Sequence, residues 1–241
     1  MTINVYYASY HNLVSHNLTG LEFSVDLLLT KIESLNKNLP DWYKQSMLRR
    51  CPASTDVLKQ CYVMKFNYDI DFGYYSGGFY SNDERIMDYT SQSVDMRESE
   101  LGLFQFHNTK IFFADKPLTV TTLHPYLHSN DYTKHFNTIS AEFDIGRWFR
   151  PIVTAAIKKH EEGNVSIRHG DITSYIRFNT KEKIKFHEFK MTNELDNLKA
   201  ACTFHQHAVS GISQLKGLYE LFESRNRSKR ILKAIKNNLI D

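Results

Sequence analysis

Long apolar runs are missing from this chain. The longest, such as VDLLLT at residues 25–30, fall far short of a membrane span. Cysteine is scarce: only Cys51, Cys61 and Cys202 occur. The first two stand ten positions apart, too far for a zinc-knuckle pair, and an odd count argues against a disulfide framework. Reduced thiols packed as small hydrophobes are the expectation, which suits a cytoplasmic compartment. Charge of one sign is also lacking. Thirty basic residues face 27 acidic ones, a formal net charge of +3. That gives no global electrostatic case for nucleic-acid binding and leaves room only for a local basic face. No Gly-x-Ser-x-Gly elbow and no Walker glycine-lysine loop is present, nor any internal repeat or low-complexity tract. The first residues, MTINVYYASYHNLVSH, lack a basic stretch followed by an apolar core. They read as a strand, with Ile3, Val5 and Tyr7 alternating, rather than as an export signal.

What is present is enough for a substantial core. Of 241 residues 41% are apolar and 13% aromatic, which excludes wholesale disorder. The pattern predicts one large domain or a domain with an appendage. LEFSVDLLLTKIESL, residues 21–35, is ambiguous between strand and helix. LPDWYKQSM precedes a helical turn, and CPASTDVLKQ starts a short helix packed by Val57 and Leu58. In CYVMKFNYDIDF, the residues Tyr62, Met64, Phe66, Tyr68 and Ile70 share one face at strict period two, which predicts one continuous strand. Gly77 and Gly78 mark a hairpin, and the polar residues 83–100 read as an exposed connection.

From Leu101 to Phe189 the pattern is β throughout. LFQFH, KIFFAD, LTVTTLHP, FNTISAEFD, RPIVTAAIKK, NVSIRH, DITSYIRFN and KIKFHEFK are the candidate strands, divided by turn residues. After Met191 helical spacing takes over. Thr192–Glu194 is a start signal for a helix carrying Leu195, Leu198, Ala201 and Cys202. Ile212, Leu215, Leu218, Tyr219 and Phe222 form a second stripe, and Ile231, Leu232, Ile235 and Leu239 a third. The sequence therefore predicts an α+β fold, predominantly antiparallel β, as a barrel or a sandwich. Residues 1–190 form the β domain with short N-terminal helices. Residues 191–241 add two or three helices packed on it.

Five stretches in order, LPDWYK, CPASTDVLKQCYVMKFNYDI, FHNTKIFFADKPLTVTTLHP, EFDIGRWFRPI and VSIRHGDITSYIRF, resemble a family of proteins from tailed bacteriophages of the myovirus type. The closing LYELFESRNRSKRILKAIKNN is similar to the ends of those proteins. The resemblance runs from about Leu39 onward. It implies a phage protein working in the bacterial host cytoplasm or in the virion, and it brings no assigned catalytic residue. Phe143 to Phe178 also looks like the strand order of β-clip nucleotide hydrolases of the dUTPase type. The chain departs from them in lacking the tyrosine-rich uracil hairpin, the phosphate-binding serine motif and the glycine-rich arm, so that likeness implies barrel geometry.

Several constellations bear on chemistry. His124, His128 and Asp131 lie close in HPYLHSND, and His107 ends an adjacent candidate strand. With His169 and Asp171 of the HGD turn they are the candidate ligands of an iron or zinc site of cupin-like oxygenase type. Against this, Pro125 breaks helical pairing, and Gly170–Asp171 fits a plain turn. His205 and His207 sit two apart on a helix, on different faces. Cys51 before Pro52 is a nucleophile only if it faces a helix N-terminus. Arg147, Trp148 and Arg150 are candidates for contact with an anion or a partner, and so are Arg230, Lys233 and Lys236, on one side of a C-terminal helix opposite Ile231 and Ile235. The aromatic stretch from Tyr62 to Tyr80 supplies either a core or a recognition surface.

These features predict non-catalytic protein interaction, virion-associated or in host takeover, with a protein partner or self-association and no cofactor. Nucleic acid is a further candidate partner, and a membrane is not. The alternative is an enzyme: a metal-dependent oxygenase with iron or zinc, or a β-clip nucleotide hydrolase.

Overall fold

The segment LFQFHNTKIFFA forms a single twelve-residue strand, and the fold is arranged around it. A computed structural model describes residues 2–9, 32–67, 69–75, 77–81, 94–98, 101–208 and 215–240. The strands are β1 (Thr2–Ser9), β2 (Glu33–Ser34), β3 (Cys61–Lys65), β4 (Ile70–Tyr75), β5 (Gly78–Tyr80), β6 (Val94–Glu98), β7 (Leu103–Ala114), β8 (Thr119–Leu123), β9 (Phe136–Thr138), β10 (Ala141–Asp144), β11 (Pro151–Lys158), β12 (Gly163–Ile167), β13 (Ile172–Phe178), β14 (Lys183–Phe189) and β15 (Leu239–Ile240). The helices are α1 (Asp41–Gln45), α2 (Pro52–Leu58), α3 (Asp131–His135), α4 (Asn193–Ala208), α5 (Leu215–Ser224) and α6 (Arg227–Lys236).

Three sheets result. The large one runs β15-β14-β1-β7-β11-β9, with β6 beside the first half of β7. The second runs β10-β8-β13-β3-β2, and the small one β12-β4-β5. Pairing is antiparallel except between β1 and β14. The sheets do not close into a barrel, so of the two architectures expected the sandwich is the one consistent with the structure.

Over Lys110–Ala114 β7 is buried on both faces, which suits the continuous apolar run IFFA, while Leu103–His107 alternates buried and half-buried positions. Phe112 and Ala114 pack with Ile3, Val5 and Tyr7 of β1 against Met64, Val120, Ile176 and Phe178 of the second sheet. Nearer the start of the same strand, Phe104 and Phe106 pack with Phe136 against Phe72, Tyr74, Val165 and Ile167 of the small sheet. Thr154 and Ser174, both buried, bridge the large and second sheets at 3.1 Å. The opposite face of the large sheet, Tyr6, Ala8, Ile111, Phe113 and Phe189, takes the C-terminal helices through Leu195, Leu198, Cys202, Leu218, Phe222, Ile231 and Ile235. The outer face of the second sheet, Cys61, Val63, Ile172 and Tyr175, is covered by Leu35, Tyr43, Leu58 and Leu127. Four layers follow: C-terminal helices, large sheet, second and small sheets, and a thin cap of short helices.

Several expectations needed correction. LFQFH and KIFFAD are one strand, which runs through Asn108 and Thr109 without a break. CYVMKFNYDIDF is two strands in two different sheets. The chain leaves the second sheet after Lys65, and Phe66 and Ile70 join a different core from Met64. FNTISAEFD likewise splits, β9 pairing β11 in the large sheet and β10 pairing β8 in the second. Part of the stretch 83–100 is strand: β6 pairs β7 and buries Val94. The hairpin at Gly77–Gly78 joins β4 to β5 as expected. The α2 helix carries Leu58 into the core, whereas Val57 points outward. Leu239 belongs to an edge strand, not to the last helical stripe. Residues 21–31 and 82–93, Tyr68, Ile212 and the side chains of His205, His207 and Leu215 lie outside the described residues.

EFDIGRWFRPI carries the chain from β10 back to β11, from the second sheet to the large one. Asp144 Oδ1 accepts from the N–H groups of Leu118 and Gly146, at 3.0 and 2.8 Å, and fixes the turn. Glycine is required at 146 by close approach: a Cβ there would lie 2.3 Å from the Lys116 carbonyl oxygen.

Candidate functional site

The metal candidates do not come together. Among the described residues there is no group of three His, Cys, Asp or Glu side chains able to hold an ion. His128 is fully engaged: Nε2 lies 2.7 Å from the Asn38 carbonyl and Nδ1 2.6 Å from the Tyr175 hydroxyl. Since a carbonyl only accepts, Nε2 carries the proton, and Nδ1 accepts from Tyr175. His124 Nδ1 accepts from the Thr138 N–H at 3.1 Å. Burial lowers the pKa of both rings, holding them neutral. His107 is half-buried on β7 opposite Val153, and it has interactions of its own. His169 is exposed, its N–H bound to Asp69. Asp171 Oδ2 accepts from the Arg168 N–H, and Gly170 has a φ of 90°, so HGD is a turn stabilised by its own aspartate. Asp131 likewise serves structure: Oδ2 accepts from the Ser166 N–H at 2.7 Å.

The arginines of EFDIGRWFRPI are committed as well. Arg147 Nε sits 2.8 Å from Glu223 Oε1 and 3.7 Å from Asp144 Oδ2, a charge contact without the alignment of a hydrogen bond. Trp148 is only 5% exposed and packs against Tyr219 and Phe222, so it is core. Arg150 is half-buried and acts on the Cys202 thiol. Arg230, Lys233 and Lys236 do form a solvent-facing row on α6, behind which Ile231, Ala234 and Ile235 are buried. Of the aromatic stretch, Phe66, Phe72 and Tyr74 are core, while Tyr75 and Tyr80 are exposed. Cys51 is exposed and free ahead of the short α2, and Cys61 and Cys202 are buried thiols.

Two surfaces on the second sheet stand out instead. The first is the helical cap. Tyr43 and Leu58 anchor it in the core, the Tyr43 hydroxyl meeting Ser54 Oγ at 3.1 Å. Its outer side exposes Trp42 (52%), Met47 (84%) and Leu48 (50%). Over residues 37–59 five basic residues face two acidic ones, a net +3. Both acids are already paired, Asp41 with Lys44 and Asp56 with Lys59. Among the described residues Arg49 and Arg50 meet no carboxylate, and Arg49 reaches the Lys44 carbonyl at 3.5 Å.

The second is a groove of about 910 Å³ beside α2, lined by Lys59, Gln60, Thr121, Glu142, Arg177 and Asn179 among others. Sequence reasoning missed it because its residues are scattered over 120 positions and meet only through strand register. The one local trace was Arg177, a charge inside the otherwise apolar SYIRF. No protein-family model, no curated protein and no solved structure matches the chain.

Proposed function

We propose that this chain is a bacteriophage protein acting by non-catalytic protein interaction, and that it docks an acidic, apolar-studded protein surface on its helical cap. The phage setting, in host takeover or in the virion, is supported by the ordered likeness of its motifs. The docking role is carried by one observation: Trp42, Met47 and Leu48 are exposed on a cap whose inner side is anchored in the core, next to arginines that no carboxylate among the described residues neutralises. Exposed tryptophan and arginine are the residue types that dominate interface energy. The enzymatic alternatives need a convergent ligand set or a barrel. No such set occurs among the described residues, and the sheets are not closed.

The two tryptophans provide the test, since Trp42 is exposed and Trp148 buried. An amphipathic model peptide of leucine and glutamate shifts Trp42 emission to the blue, and a leucine–lysine counterpart does not. The shift disappears in Trp42→Phe, and its midpoint weakens at least tenfold in the Arg49→Glu/Arg50→Glu double variant. Equal shifts with both peptides, or none with the acidic one, overturn the reading. So does a dimer in sedimentation that Trp42→Glu returns to monomer, since the cap would then belong to a second copy.

A further inference from the structure

The groove beside α2 is organised by strand register. Arg177 stands opposite Thr121, and Thr121 opposite Glu142; on its other side Arg177 faces Cys61. Directly opposed residues of neighbouring strands share a sheet face, so these side chains form one row on the outer face of the second sheet. The last turn of α2 makes one wall, and the turn of Asn179, Thr180 and Lys181 the other. Gln60 locks the walls together. It adopts a left-handed backbone, with a φ of 61°. Its carbonyl accepts from the Phe178 N–H at 3.1 Å, and its side-chain amide donates to the Glu182 carbonyl at 3.2 Å.

Most charges around the groove are already matched. Asp56 pairs with Lys59. Glu142 Oε1 accepts from Asn179 Nδ2 at 2.5 Å and from Thr121 Oγ1 at 3.2 Å. Arg177 differs. It is half-buried, and no carboxylate or hydrogen-bond acceptor among the described residues meets its guanidinium. The groups it acts on are Cys61 and Tyr126. The Cys61 thiol, pushed up to about 11 by burial, supplies no counter-charge at neutral pH. A guanidinium offers five donors in a rigid fork, and leaving it partly desolvated without an acceptor is costly. Lys181, exposed at the rim, is a second cation without a partner among the described residues.

We propose that this groove binds a small ligand through an oxyanion group, a carboxylate or a phosphate, gripped by the Arg177 guanidinium with Lys181 at the rim. The volume falls within the range of about 300–1,000 Å³ usual for small-molecule sites. Glu142 stands two strands away from Arg177, about 10 Å at normal strand spacing. Its second carboxylate oxygen accepts a hydroxyl or amine from the far end of the same ligand. The site therefore selects a compact molecule with an oxyanion at one end and a donor at the other. Docking on the cap is a separate matter, and either proposal stands if the other fails.

The test is a titration of the full-length protein by amide-resolved NMR, using phosphoethanolamine in one arm and 4-aminobutyrate in the other, at ionic strength held constant with chloride. The expected result is saturable shifts at Arg177, Thr121 and Asn179 in at least one arm. The arm that saturates at lower concentration identifies phosphate or carboxylate as the group recognised. Arg177→Lys keeps the charge and removes the fork; it weakens binding at least fivefold, and Arg177→Gln abolishes it. Lys181→Ala, a surface change, weakens binding about twofold. Lack of saturation in both arms up to 20 mM, or equal affinity in the wild type and Arg177→Lys, overturns the proposal.

Discussion

The backbone N–H of Asp144 donates to the Tyr219 hydroxyl across 2.7 Å, joining strand β10 to helix α5. Asp144 is buried while Tyr219 is half-buried, so the donor is largely withdrawn from solvent. Tyr219→Phe keeps the ring beside Trp148 and removes only that oxygen. We expect a loss of about 1–3 kcal/mol, the cost of an orphaned buried donor, seen as a lower denaturant midpoint with an unchanged slope.

The same corner sets a second expectation. At Gly146 the atoms nearest a new Cβ are backbone, the Lys116 carbonyl and the Pro117 Cα at 2.9 Å, and backbone yields less readily than a side chain. Gly146→Ala should destabilise by about 1–3 kcal/mol through overpacking. Calorimetry against the wild type checks it. Gly170→Ala provides a contrast: nothing lies within 4 Å, so only the positive φ opposes the methyl group.

Phe136 joins the large sheet to the small one. Its fully buried ring meets Phe72, Tyr74, Phe104, Phe106 and Tyr132, the closest at 5.1 Å between centroids. Phe136→Ala should cost about 3–5 kcal/mol, a large share of the stability of an ordinary domain. Phe136→Leu should cost clearly less. Urea denaturation of the two variants compares them, and equal losses would mean that ring packing is not what the position supplies.

Much of this architecture was legible in residue alternation. β1, β8 and β11 to β14 follow their apolar periods, and the helices after Met191 follow theirs. What alternation does not encode is which sheet a strand joins. Tyr62 to Ile70 keeps its period across Phe66 and Asn67, where the chain passes from one sheet to another. LFQFH and KIFFAD read as separate strands because the polar Asn108–Thr109 interrupt the apolar pattern, whereas the backbone runs straight through them. The groove was illegible for a related reason. Glu142, Thr121 and Arg177 become neighbours only once two ladders are in register. The histidines looked like ligands because they are close in sequence, yet each bond formed by His124 and His128 serves a loop or a sheet edge.

His128 makes acid sensitivity a property of the fold. Burial is the leading cause of its lowered pKa. The nearby Lys65 charge acts in the same direction, and the Asn38 carbonyl opposes them. The folded state thus binds fewer protons than the unfolded chain, in which histidine titrates near 6.5. A depressed folded pKa means that the neutral ring's contribution is complete above about 6.5. It is lost as pH falls from there through the folded value. Protonation at Nδ1 would also leave the buried Tyr175 hydroxyl without its acceptor. His124, His135 and His187 are lowered chiefly by burial too and add to the same slope. We therefore expect unfolding free energy to decline between pH 7 and pH 5. His128→Gln, which cannot titrate, should lose about 1–3 kcal/mol at pH 7.5 through its poorer bridge between Asn38 and Tyr175, and its profile should be shallower. Denaturation at pH 7.5, 6.5 and 5.5 distinguishes the two chains, and parallel profiles would remove His128 as a source of the slope.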